Sequence, residues 1–204
     1  PARFPTTIGQ GQQPDNPLEY WWTMRALMSA MEKWMRDGTA PPPSQYPKLS
    51  DGTLVAANAV AFPAIPGVQT PTIVEQHRRD GKLIPFLVPQ VDADGNERAG
   101  IRTPESLVAL ATYTGWNFRN KDIGGSTQLV SLLGSRIPFA RTPGDAAAAG
   151  DPRKSIAERY PSRESYLEAA REAANRLVKS GFLLAGDLPQ VMRRMEAQWA
   201  ETVR

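Results

Sequence analysis

Cysteine is absent from the chain and histidine occurs once, at His77. The first absence excludes disulfides, thiolate metal sites and a cysteine nucleophile. The second excludes a histidine-based metal cluster within the chain, and any catalytic scheme that needs two histidines. No apolar run approaches the roughly 20 residues that a bilayer-spanning helix needs, so no membrane partner is expected. Neither sign of charge dominates: 24 Lys and Arg stand against 21 Asp and Glu, a net +3. That balance carries no nucleic-acid signal. The phosphate loop, the dinucleotide glycine fingerprint and metal-ligand spacings are missing, so no metal and no cofactor are expected. The nucleophile elbow G-x-S-x-G is missing too.

What is present is globular in proportion. Apolar residues make 41% and charged residues 22% of the 204 positions, which excludes a disordered, collagenous or coiled-coil chain. With 19 prolines and 16 glycines the chain is too rich in turns for a helix bundle. The expected class is α+β: three substantial helices, short antiparallel strands between residues 53 and 101, and long Pro/Gly-rich loops.

The first helix is expected from Asn16 to Asp37. Asn16 suits the N-cap, Pro17 the first helical position, and Glu19 the capping-box place. Tyr20, Met24, Leu27, Met28, Met31, Trp34 and Met35 recur at three- and four-residue spacing and form one apolar stripe. Gly38 supplies a left-handed C-cap. Trp21, Trp22 and Trp34 are read as core. Next, Pro41-Pro42-Pro43 is stiff and extended. Asp51-Gly52 is a turn before a short strand at Thr53-Leu54-Val55. Asp94-Gly95 is the strongest hairpin signal, flanked by Ile84–Asp92 and Glu97–Ile101. Asp92, Asp94 and Asn96 superficially suggest a calcium loop, but the spacing of its glycine and final glutamate is wrong, and a plain turn is expected.

Thr103-Pro104-Glu105 can cap a short helix, while Val108 to Tyr113 reads equally as helix or strand. Ala146 to Gly150 is expected to be a solvated loop. Ser162 caps a helix whose inner face is Leu167, Ala170, Ala174, Leu177 and Val178. It ends at Gly181, with Phe182 packing back on Leu177. Asp187 and Gln190 form a capping box for the last helix, with a stripe of Leu188, Val191, Met192, Met195, Trp199 and Val203. The helices over 162–180 and 187–202 then make an antiparallel hairpin. No internal repeat is seen.

Few residues offer chemistry. Ser126 and Ser135 each follow a glycine but lack the elbow and are read as turn residues. His77 lies in a polar run and is read as solvated. The pairs Arg78-Arg79 and Arg193-Arg194 are read as surface. No catalytic residue is assigned. One cluster suits a substrate cleft: Tyr113-Thr114-Gly115-Trp116-Asn117. There Gly115 would allow a turn with positive φ, Trp116 an apolar wall, and Asn117 a donor and acceptor. In the bland alternative Trp116 fills core and Asn117 satisfies loop backbone.

Several blocks, taken in order, resemble a known family. They are Asn16-Pro17-Leu18-Glu19-Tyr20 with Trp34-Met35-Arg36-Asp37-Gly38; Pro41-Pro42-Pro43-Ser44 with Asp51-Gly52-Thr53-Leu54-Val55; Phe62-Pro63-Ala64-Ile65-Pro66-Gly67-Val68; Val88-Pro89-Gln90 through Glu97; Ala111 through Asn117; and Ile137-Pro138-Phe139-Ala140. Gly150-Asp151-Pro152-Arg153 and Glu158-Arg159-Tyr160-Pro161-Ser162-Arg163 complete the set. Together they resemble the C-terminal portion of bacterial alpha/beta hydrolase domain-containing proteins, with Thr70 to Pro85 shorter than the family's usual middle.

The resemblance implies a serine hydrolase of esters or related acyl compounds whose elbow and base would lie upstream of Pro1. The opening Pro1-Ala2-Arg3-Phe4-Pro5 resembles the stretch just after the family's late histidine. Residues 1–38 would then be a terminal helix segment of the hydrolase core, and 39–204 a loop-rich extension ending in the helical hairpin. The expected partner is the N-terminal catalytic part of the parent hydrolase, with self-association through the uncovered first helix. Two other readings stand beside it: a non-enzymatic interaction module, and a self-sufficient enzyme centred on His77.

Overall fold

The computed structural model describes residues 9–203. The expected hydrolase-like opening at residues 1–5 lies outside them. The architecture is α+β. Helix α1 spans Trp21–Asp37, α2 Pro104–Leu107, α3 Pro143–Ala149, α4 Ile156–Arg159, α5 Arg163–Lys179 and α6 Leu188–Thr202. Strands β1 (Leu54–Val55), β2 (Gln76–Arg79), β3 (Lys82–Pro85), β4 (Val88–Pro89), β5 (Ala111–Tyr113) and β6 (Arg136–Pro138) form three two-stranded antiparallel sheets: β1 with β4, β2 with β3, β5 with β6. No parallel pair occurs among the described residues.

The core lies under the C-terminal hairpin. Ala170, Ala173 and Ala174 are fully buried, so α6 comes close to α5 and seats Met195 and Val191 there. Each such large apolar side chain stabilises by about 1.5–3 kcal/mol on burial. The helices run antiparallel: Leu177 near the end of α5 shares a cluster with Val191 near the start of α6, and Arg163 at the start of α5 pairs with Glu196. Tyr166, Tyr160 and Trp199 cluster together, Tyr166 lying 4.9 Å from Trp199 and, edge-on, 5.1 Å from Tyr160. Helix α5 ends as expected. Gly181 is left-handed (φ 81°), its N–H donates to Val178, and the Phe182 N–H donates to Leu177. The ambiguous run at 104–113 is both things in turn, a single turn of α2 and then β5.

Several expectations are corrected. Helix α1 starts at Trp21, not Asn16. The Asn16 side chain instead accepts from the Leu18 N–H at 2.9 Å and donates to the Thr114 carbonyl at 3.0 Å, closing a local turn that competes with helix. Glu19 makes no capping box; it pairs with Arg194. Trp21 and Trp34 are not core: they are 60% and 56% exposed, and only Thr23 and Ala26 of α1 are buried. Trp22 and Leu27 do pack, against the Leu177–Phe182 cluster, and Arg25 reaches Asp187 at 3.1 Å. These contacts tie α1 to the C-terminal hairpin.

That ion pair also replaces the expected Asp187 cap of α6, where no side-chain cap bond forms. Residues 143–149 are a helix rather than a loop, because Thr142 and Asp145 make a reciprocal capping box and Gly150 closes it. The full hairpin is Gln76–Pro85, turning at Asp80-Gly81, where both residues have positive φ. At Asp94-Gly95 the chain makes only a tight turn with a single bridge, Val91 to Glu97.

Arg194 is not on the surface. It is 7% exposed, donates to Glu105 at 2.6 Å and Glu19 at 3.2 Å, and also reaches the Pro17 carbonyl. Arg194 and Gln198 come three and seven residues after Val191, so both fall on the buried face of α6.

Candidate functional site

A groove of about 750 Å³ opens between two walls. The outer wall is the stretch 57–74, a single 3-10 turn at Ala57–Ala59 followed by irregular chain in which Pro63, Pro66 and Pro71 prevent a helix. The inner wall is the end of β5 with residues 114–116, and the 92–97 turn completes it. Gln90 clamps the outer wall in place. Its side-chain oxygen accepts from the N–H groups of Ala61 and Val91, and its amide donates to the Ala59 carbonyl, each at 2.9 Å.

The turn is held from inside and below. The Asp92 carboxylate accepts from the N–H groups of Asp94 and Asn96, both at 3.0 Å. The buried Asn96 amide donates to the Ala111 carbonyl at 3.1 Å and accepts from the Tyr113 N–H at 2.8 Å, which ties the turn to β5. Asp94 takes both guanidinium arms of Arg159, at 2.5 and 2.6 Å. These carboxylates are therefore spent on the turn and on arginine, as a plain turn requires.

Gly95 sits where the walls meet. Its φ is 80°, and a Cβ there would lie 2.9 Å from the Phe62 ring and from the Thr112 methyl. Both the conformation and the space demand glycine. The Phe62 ring can then stand 5.5 Å from Trp116, which is itself 6.0 Å from Phe118 in an edge contact. The Trp116 carbonyl accepts from the hydroxyls of Thr114 (2.5 Å) and Ser135 (2.7 Å), which fixes the backbone carrying the indole.

The three expected cleft residues divide here. Trp116 lines the groove and is half-buried. Tyr113 lines it too, but its ring is buried and its hydroxyl accepts from Gln198; burial holds that phenol well above the usual tyrosine range. Asn117 does not line the groove. It is fully buried, accepts from the Gln13 N–H at 3.3 Å, and donates to the carbonyls of Gln13 at 2.9 Å and Gly134 at 3.5 Å. Gly11 leaves it room, since a Cβ there would come within 2.1 Å of the Asn117 amide. The expected positive φ at Gly115 is not found.

Sequence reasoning missed Glu97. It alone among the residues lining the groove carries a formal charge. It stands at the rim, with no side-chain hydrogen bond or ion pair among the described residues, and desolvation holds its carboxyl above the ordinary glutamate range. Glu97 also lines a second cavity of about 310 Å³ on the other side of Tyr113, bordered by Asn16, Glu19, Arg102 and Ser106. The available signal was positional: Glu97 closes the turn opposite Val91, amid proline and valine.

Among the described residues the hydroxyl–carboxylate pairs of Ser155 with Glu158 (2.6 Å) and Thr142 with Asp145 (2.8 Å) are helix caps, and no serine hydrogen bonds to His77. His77 is exposed on β2, its ring 5.0 Å from that of Phe86. Ser135 is fully buried with its hydroxyl committed to Trp116, and the Ser126 carbonyl accepts from Gln12. What the arrangement offers is recognition: an apolar groove with one unpaired carboxylate.

No curated protein and no solved structure matches the chain. A family model described as an alpha/beta hydrolase domain matches residues 2–193, nearly the whole sequence, and with it a hydrolase-like function. The chain belongs to the alpha/beta hydrolase domain family.

Proposed function

We propose that this chain serves an ester- or acyl-cleaving serine hydrolase as the part that packs on the catalytic core and walls its cleft, with the triad supplied by residues outside these 204. The single observation that carries the reading is the pairing of family membership with a groove that can bind but has no nucleophile beside it. Trp116 and Phe62 would form the wall facing the substrate, and Tyr113 its base.

The uncovered face of α1 supports the same reading. Met28, Met31, Trp34 and Met35 are all more than half exposed. A stripe of that size on one helix is the mark of a surface that meets something apolar. In this reading α1 meets the catalytic part of the hydrolase.

The test is the reading frame upstream of residue 1 and the activity it encodes. An open frame carrying G-x-S-x-G and a late histidine is expected, and the longer protein should hydrolyse p-nitrophenyl acetate while the 204-residue chain does not. A start codon directly before Pro1, or turnover by the chain alone, would overturn the proposal.

A further inference from the structure

We propose that the groove between residues 57–74 and 113–116 binds a small organic cation with a bulky apolar body, its charged head at Glu97 and its apolar part against Phe62 and Trp116. As a binding site the groove stands on its own geometry; as a substrate site it rests on the hydrolase reading above.

Three observations lead to this chemistry. First, the groove is lined by apolar and aromatic side chains together with a single formal charge, the Glu97 carboxylate. Its volume of about 750 Å³ lies in the range of small-molecule sites. Second, that carboxylate lacks a cation. Arg102 is engaged with Asp92 at 3.5 Å and Arg159 with Asp94, while Arg98, next in the chain, is exposed and does not line the groove. A carboxylate beside apolar walls is stabilised by an opposite charge, and among the described residues no ion pair to Glu97 forms. Third, aromatic rings line the same groove. Trp116 and Phe62, 5.5 Å apart, supply the large apolar surface that the body of such a ligand needs. An anionic ligand would meet repulsion at Glu97, and a neutral one would leave it unpaired.

The experiment is calorimetric titration of the 204-residue chain with three compounds of similar size and shape, each a benzyl group on a quaternary centre. They are benzyltrimethylammonium, the neutral 2,2-dimethyl-3-phenylpropan-1-ol, and the anionic 2,2-dimethyl-3-phenylpropanoate. The cation should bind about tenfold or more tighter than the alcohol, a difference of about 1.4 kcal/mol, with the carboxylate weakest. Glu97→Gln should remove the preference for the cation, and Trp116→Ala should weaken cation and alcohol alike.

Equal binding of cation and alcohol to the unaltered chain overturns the head-group assignment, whatever the variants do. So does a preference that survives Glu97→Gln. Binding of the alcohol without that preference leaves the groove as a cleft wall and removes only its cation. Binding of none of the three overturns the site itself, and leaves the hydrolase reading to the activity of the longer protein. The titration requires no hydrolysis, so its outcome is separate from whether the longer protein is an esterase.

Discussion

Helices α1 and α6 are close in length, 17 and 15 residues, and both carry an apolar stripe, yet only that of α6 is covered. The neighbouring segment of chain makes the difference. Helix α6 is joined to α5 by a short link, and the alanines of α5 provide a flat surface for Met195 and Val191. Helix α1 leads into Pro41-Pro42-Pro43, which runs extended past Gly181 and returns no second helix to cover it. Only its Trp22 and Leu27 side reaches the hairpin. A helical stripe announces that a face will be buried, but its partner is set by the element next to it in the chain.

The polar groups differ in the same way. In the C-terminal half two buried arginines are paired with carboxylates, Arg153 with Asp151 at 2.6 Å and Arg194 with Glu105 at 2.6 Å, and a third, Arg136, donates to the Thr202 hydroxyl at 2.8 Å. At the groove, Glu97 stands unpaired. The covered region behaves as a finished interior, and the groove and α1 as surfaces with a role toward other molecules.

The largest effect expected from this contrast is at Arg194. Arg194→Ala leaves Glu105 buried without its cation and should cost about 3–5 kcal/mol, read as a lowered midpoint in urea. A cost under about 1 kcal/mol would mean that the C-terminal half is not the closed interior described. Gly95→Ala comes next. Holding alanine at positive φ costs about 1–2 kcal/mol, and the contacts with Phe62 and Thr112 add to it. An unchanged midpoint would show that the turn does not set the groove.

Glu97→Gln should act in the opposite direction. A glutamate whose pKa is raised by folding favours the fold below its unfolded value and loses that contribution as pH rises through the folded one. The glutamine variant should therefore unfold at a higher temperature near pH 7, with the difference vanishing below the ordinary glutamate range. A lower midpoint at pH 7 would show that Glu97 already has a stabilising partner. The smallest effect on stability is expected on the exposed face of α1. Met28→Gln with Met31→Gln should change stability by about 0.5 kcal/mol or less. Light scattering of the unaltered chain should show association that this variant reduces. A loss of several kcal/mol would mean that the chain itself covers this face.

The helical ends of the molecule were legible because periodicity and caps are local. The Ser162 cap, the Gly181 stop and the stripe of α6 could all be read from spacing. Capping failed where a side chain had a better distant partner: Asn16 went to Thr114, Glu19 to Arg194 and Asp187 to Arg25. The hairpin forms at Asp80-Gly81, the same dipeptide as at Asp94-Gly95 where it was expected, because the latter is tied into β5 through Asn96. Of the groove, Trp116 and Tyr113 were visible as an aromatic cluster beside glycine. Glu97 was not, because its significance comes from the proline-rich wall across from it. Nothing local marked Asn117 as the partner of Gln13, more than a hundred residues away.

Whether this chain binds and walls without cleaving is decided by a fluorophosphonate serine probe. No labelling of the folded 204-residue chain is expected, with Ser135 unreactive because it is buried and hydrogen-bonded to Trp116. Stoichiometric labelling of any one serine, mapped by mass spectrometry and lost on unfolding, would contradict that reading.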